Sequence, residues 1–119
     1  MEGRIKVYQM NLDGEVDATK TAEISRIVGQ LIKGEVFGLI LNFDAVEHVH
    51  FAVLSSLVDE KKRLQSFGGD LRLAGLSDYL KNIFKTTGVL EEFAVFETAQ
   101  QAAKSFGVTK AATNLPLGL

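Results

Sequence analysis

The segment Val36-Phe37-Gly38-Leu39-Ile40-Leu41-Asn42-Phe43 constrains the fold more than any other part of the chain. It is an almost unbroken apolar run of strand length, and a strand is apolar in both phases only where packing covers both of its faces. The segment is therefore read as the central strand of a sheet lying between helices. Upstream, Ile24, Ile27, Val28, Leu31 and Ile32 recur at the spacing of a helix with one buried face, and Gly34 is placed to end it. Downstream, Val53, Leu54, Leu57, Val58 and Leu64 carry a second helix that stops before Gly68-Gly69, where a left-handed cap and a tight turn cost little.

The same switching of period continues on both sides. Ile5 to Leu12 reads as a strand, with Ile5 and Val7 in one phase and Met10 and Leu12 in the other, which places a bulge or break near Tyr8 and Gln9. Leu71-Arg72-Leu73-Ala74 is a short strand. Ser77 and Asp78 are N-cap candidates for a third helix holding Tyr79, Leu80, Ile83 and Phe84 and stopping at Gly88. Phe93 to Phe96 reads as a last strand. Thr98-Ala99-Gln100-Gln101 matches a capping box opening a fourth helix that buries Ala99, Ala102, Ala103 and Phe106 and ends at Gly107. Alternating strands and helices define an open α/β fold in one domain, residues 1–107, without internal repeat or linker. Residues 108–119 hold the only proline, Pro116, show no clear period, and are read as a C-terminal tail.

Composition removes several functional classes. A chain of 119 residues, 46% hydrophobic and 24% charged, suits one globular domain with its own core. Cysteine is absent, which excludes disulfides, thiolate zinc sites and catalytic thiols. The start, Met1-Glu2-Gly3-Arg4, is polar, and no apolar run approaches the roughly 18 residues of a membrane span, so a soluble cytoplasmic domain is expected. Thirteen basic residues against fifteen acidic give a net charge of −2. They are scattered, apart from Glu60-Lys61-Lys62-Arg63, so nucleic acid is not expected as a partner. No glycine-rich phosphate loop of familiar spacing occurs.

The chemically richest stretch is Val46-Glu47-His48-Val49-His50-Phe51-Ala52-Val53-Leu54-Ser55-Ser56-Leu57, with both histidines of the chain and two serines. In an extended segment His48 and His50 share a face, and with Glu47 or Asp44 they offer a set of metal ligands. A histidine pair without a third fixed ligand is a weak signal. A nucleophilic serine needs a base in reach, yet Ser56 stands six residues from His50, which is not a helical neighbour spacing. Glu91-Glu92 and Asp59-Glu60 are adjacent pairs that diverge or face outward. The catalytic vocabulary is thin, and a non-enzymatic role is expected, with no cofactor.

The order of elements and several residues together resemble the STAS domain, the anti-sigma factor antagonist fold. Leu12-Asp13-Gly14-Glu15-Val16-Asp17 before a helix is similar to the family's opening, and Leu39-Ile40-Leu41-Asn42-Phe43 to its central strand. Leu64-Gln65-Ser66-Phe67-Gly68-Gly69-Asp70-Leu71-Arg72-Leu73 looks like the helix, double glycine and strand that follow. Ile83-Phe84-Lys85-Thr86-Thr87-Gly88-Val89-Leu90 and the alanine-rich final helix match the end, so the likeness spans about residues 10 to 107. The resemblance implies an open mixed sheet of four to five strands flanked by four helices. In switch-type members the loop after the central strand reads aspartate, serine, serine, glycine, leucine, and its first serine is phosphorylated by a partner kinase. Those positions fall here on His50, Phe51, Ala52, Val53 and Leu54, so the phosphoacceptor position is Phe51, which has no hydroxyl.

The implied function is a protein-interaction module that resembles an anti-sigma factor antagonist without the phosphoserine switch. Its partner would be an anti-sigma factor or a histidine-kinase-like ATPase, and the binding residues implied are His48, His50, Phe51, Ala52, Val53 and Asp17. Phe51 either stands exposed as an aromatic anchor or turns inward as core. No Ser, Thr, Asp or Asn between Ala45 and Leu54 can cap the second helix. Two other roles stay open: a STAS subunit docking on the ATPase of an ABC-type lipid or solute transporter, and a small-ligand or metal sensor in the loop before helix two. Few residues precede Met10, so an uncovered sheet edge blunted only by Arg4 and Lys6 makes a homodimer or strand addition by a partner a further expectation.

Overall fold

A computed structural model describes residues 6–113. A four-stranded sheet of order β1-β2-β3-β4 is formed by β1 (Val7–Val16), β2 (Gly38–Val49), β3 (Asp70–Ala74) and β4 (Val95–Phe96). The strands alternate with helices α1 (Ala18–Lys33), α2 (Leu54–Gln65), α3 (Asp78–Thr86) and α4 (Ala99–Ser105). All three strand pairings are parallel. Ile5, which began the first expected strand, lies outside the described residues.

Chain order and spatial order coincide, so right-handed crossovers put every connecting helix on the same face. On that face Ile24, Val28 and Leu31 of α1, Leu54, Leu57 and Leu64 of α2, and Leu80 and Phe84 of α3 pack on Met10, Leu12, Leu39, Leu41, Phe43, Leu71 and Leu73. The other face is covered by α4, which is not a crossover and returns freely. There Ala102 and Ala103 close over Val7, Ile40 and Ala74. The apolar run of β2 thus has the expected two-sided cover, with Leu39, Ile40 and Leu41 all fully buried.

Two-sided cover also corrects the reading of β1. Val7 faces α4 while Tyr8, Met10 and Leu12 face the larger core. The change of apolar phase therefore marks a strand buried on both sides, and no break occurs at Tyr8 and Gln9. The irregularities come later, between Asn11 and Asp13 and between Gly14 and Glu15, and β1 continues through the Asp13-Gly14 dipeptide to Val16. The segment after α4 crosses to the outer edge of β1. The Gln9 amide donates to the Ala112 carbonyl at 2.7 Å, the Ala112 amide to the Val7 carbonyl at 3.0 Å, and Ala111 is buried in the smaller core. Beyond Gln9 no described residue pairs with that edge.

Caps set the helix ends. Asp17 Oδ1 accepts from the Lys20 amide at 3.0 Å, Ser77 Oγ from Leu80 at 3.1 Å, and Thr98 Oγ1 from Gln101 at 3.1 Å. Gln101 reaches back to the Glu97 amide, one residue before the cap. The end of α1 differs from expectation. Gly34 has an ordinary φ of −88°, and the left-handed position of the Schellman turn is Glu35, at φ 60°. Its geometry is set by the Glu35 amide donating to Ile32 and the Val36 amide to Leu31, with buried Val36 anchoring the exit. At the start of β3, Asp70 is held by Lys61, by the Arg72 Nε at 2.9 Å and by the Leu71 amide at 2.9 Å. Burial alone would push its carboxyl up, but these donors and the Lys61 charge outweigh it and hold the group below the usual carboxylate range.

Candidate functional site

The site grows from unequal strand lengths. The last pair joining β2 to β3 is Asn42 with Ala74, whereas β1 and β2 stay paired as far as Val16 with Val49. A two-stranded arm therefore projects past the rest of the sheet at its C-terminal end. Along the arm Leu12, Val16, Phe43, Val46 and Val49 are buried, and Asp13, Glu15, Asp44 and Glu47 stand exposed. The arm ends at His50, whose amide donates to the Val16 carbonyl at 3.1 Å. Phe51–Val53 then make one 3₁₀ turn that runs directly into α2, and no side chain caps it.

The two histidines bridge three elements. His48 Nδ1 lies 2.7 Å from the Tyr79 hydroxyl at the start of α3, and His50 Nε2 lies 2.9 Å from Glu15 Oε1 on β1. Their rings are 5.3 Å apart at 60°. Tyr79, His48, His50 and Glu15 thus form a continuous chain of contacts across the end of the sheet, and the following residue, Phe51, is 65% exposed. A phenyl ring left this open at the first turn of a helix contributes little to the core and offers apolar area to whatever lands on it.

The expected site residues separate into groups. His48, His50, Phe51 and Ala52 lie on the surface at this end, with His48 half-buried under Tyr79. Phe51 is exposed and not part of the core. Val53, expected among the binding residues, is only 4% exposed and belongs to the main core. Asp17 spends its carboxylate on the N-cap of α1. No group of three or more His, Asp or Glu side chains among the described residues is placed to hold a metal ion. The bonded histidine nitrogens go to Tyr79 and Glu15, and Ser55 and Ser56 lie further along α2.

Tyr79 is the member of this cluster that sequence reasoning missed, having placed it in the buried stripe of α3. Leu80, Ile83 and Phe84 form that stripe, and Tyr79, one position before it, is 55% exposed. The spacing held the signal, because a residue preceding an i, i+3, i+4 set points to its flank.

Fold and site define a class: a small parallel α/β domain whose polar and aromatic side chains gather at one end of the sheet, beside the helix that follows the second strand. Within that class the chain belongs to the STAS domain family, whose family model matches residues 1–102. Solved structures agree on the fold. The anti-sigma factor antagonist SpoIIAA in its unphosphorylated form is 19% identical with a TM-score of 0.71, covering 92% of this chain and 96% of that one. A sulfate transporter family protein from Wolinella succinogenes is 18% identical with a TM-score of 0.75, covering 85% and 84%. A putative anti-sigma factor antagonist from Thermotoga maritima is 19% identical with a TM-score of 0.70, covering 82% and 86%. No helix among the described residues is long and apolar enough to cross a membrane.

Proposed function

We propose that this STAS domain is a non-enzymatic protein-binding module that engages its partner through the start of α2, without a phosphorylation switch. The observation that carries the reading is Phe51, 65% exposed at the first helical turn, the residue to which counting on from the central strand assigns the place of the phosphorylated serine of switch-type members. A phosphoserine there places about two negative charges at a helix N-terminus and alters what the surface can bind. A phenyl ring has neither charge nor acceptor. It is an aromatic anchor of the kind that dominates protein interfaces, so binding is constitutive or regulated elsewhere. The partner is an anti-sigma factor or a kinase-like ATPase, and the thin catalytic vocabulary around the histidines supports a role without chemistry.

The test is capture of a partner from the native host with the tagged domain, alongside Phe51→Asp. The variant is expected to lose the captured protein and keep its thermal melt. A collapse of the melt would place the ring in the core and overturn the reading. Intact mass after incubation with a cognate kinase and ATP is expected to show no added phosphate, and a phosphate on Ser55 or Ser56 would move the switch to those residues. Capture of a transporter ATPase in place of a regulatory protein would assign the domain to transport.

A further inference from the structure

From the distribution of charge around Phe51, we propose that the partner presents a cationic rim around an apolar cleft, a chemistry that this end of the domain is built to meet. The inference rests on the binding role proposed above and specifies what binds. No Lys or Arg occurs between Lys6 and Lys20, between Lys33 and Lys61, or between Arg72 and Lys81. Those three intervals are the segments that converge on this end: the arm of β1, the whole of β2 with the turn and first half of α2, and the approach to α3. The same intervals hold Asp13, Glu15, Asp17, Asp44, Glu47 and Asp78. Asp13, Glu15, Asp44, Glu47 and Asp78 are exposed, and among the described residues none of these five pairs with a lysine or arginine. Lys33, Lys62, Arg63, Lys85 and Lys104 occupy the last turns of the four helices at the opposite end, and the two lysines in first turns, Lys20 of α1 and Lys81 of α3, are paired with Glu23 and Glu97.

Parallel topology explains the segregation. Every helix starts at the C-terminal edge of the sheet and ends at the N-terminal edge, so cations that favour helix C-termini collect at one pole. The arm leaves the other pole acidic, and the same end carries two exposed rings, Phe51 and Tyr79, 65% and 55% exposed. Carboxylates flanking exposed rings select a partner with lysine or arginine flanking a pocket, because like charge against this rim costs far more than a screened gap. A nucleic acid or an anionic lipid surface is repelled by the same rim.

The experiment uses the isotopically labelled domain and two synthetic amphipathic helical peptides of equal length, one of leucine and lysine, the other of leucine and glutamate. The lysine peptide is expected to shift amide resonances of residues 13–17, 44–54 and 78–79, with affinity falling about fivefold between 50 and 200 mM salt. The variant Asp13→Asn, Asp44→Asn, Glu47→Gln keeps Phe51 and is expected to bind about tenfold more weakly with a flattened salt dependence. Equal response to both peptides, response to neither, shifts confined to the opposite pole, or an unchanged affinity in the charge variant would overturn the inference. Failure of the underlying binding role is recognised separately, by a Phe51→Asp protein that still captures the host partner.

Discussion

Gly68 and Gly69 are adjacent, yet each excludes a side chain for a different physical reason, and substituting them one at a time with alanine separates the two. Gly68 is the left-handed residue at the end of α2, with φ 84° and no atom within 4 Å of an added Cβ. Its alanine variant meets only backbone strain, partly offset by a stiffer unfolded chain, for a cost of about 1 kcal/mol. Gly69 has no such strain, but an added Cβ falls 1.9 Å from the Phe37 carbonyl oxygen and 2.7 Å from its carbon. Those are backbone atoms and cannot rotate away. Relief requires opening the bond from the Asp70 amide to the Phe37 carbonyl, 3.0 Å long, at the point where β2 and β3 come together. A lost, partly buried backbone bond and the accompanying shift of the strand cost about 3 kcal/mol together. In thermal unfolding followed by circular dichroism, Gly69→Ala is expected to lower the melt by about 10 °C and Gly68→Ala by about 4 °C, and urea titrations are expected to give both variants the wild-type m-value. Equal losses, or a larger loss at Gly68, would refute the reasoning.

Glu35→Gly is expected to stabilise the domain by about 0.5–1 kcal/mol, since Glu35 is exposed and left-handed and the two Schellman bonds are made by backbone alone; a lower urea midpoint would show that its side chain matters. Asp70→Asn is expected to cost about 2 kcal/mol at neutral pH by leaving Lys61 and Arg72 without their anion. The carboxyl is depressed in the folded state, so the wild-type advantage is fully present above the unfolded pKa of about 3.9 and lost as pH falls through the folded value. Melts of both proteins from pH 7 to 2 should converge at the acid end, and a constant gap would contradict the assignment. Phe84→Ala removes a fully buried ring stacked edge-on against Phe43 and Phe93 and is expected to cost about 3–5 kcal/mol by chemical denaturation.

Helices were the most legible part of the fold, because their stripes and caps are local. Ser77 and Thr98 cap where their sequence signatures place them, and Leu80, Ile83 and Phe84 are buried as their spacing requires. The arm was less legible. Asp13-Gly14 carries the composition of a turn, and Gly14 does take a left-handed φ of 60°, yet pairing with the long strand β2 carries β1 through it as an irregularity of the ladder. Glu35 and Ala112 were invisible for a related reason: each is fixed by backbone hydrogen bonds that any residue type can make. At the candidate site the sequence placed His48, His50 and Phe51 together because they are neighbours in the chain. The contacts that join His48 to Tyr79 and His50 to Glu15 span 31 and 35 residues and arise only when the strands and α3 assemble.

The most direct test of the account is the affinity of the partner captured from the host, measured by calorimetry for wild type and Phe51→Ala, with the melt of both proteins recorded in parallel. The account predicts binding at least about 30-fold weaker in the variant, the 2 kcal/mol of an interface anchor, and a melt within a few degrees of wild type. Unchanged affinity, or a melt lowered as far as a core truncation lowers it, would contradict the assignment of Phe51 as the partner-facing residue of this STAS domain.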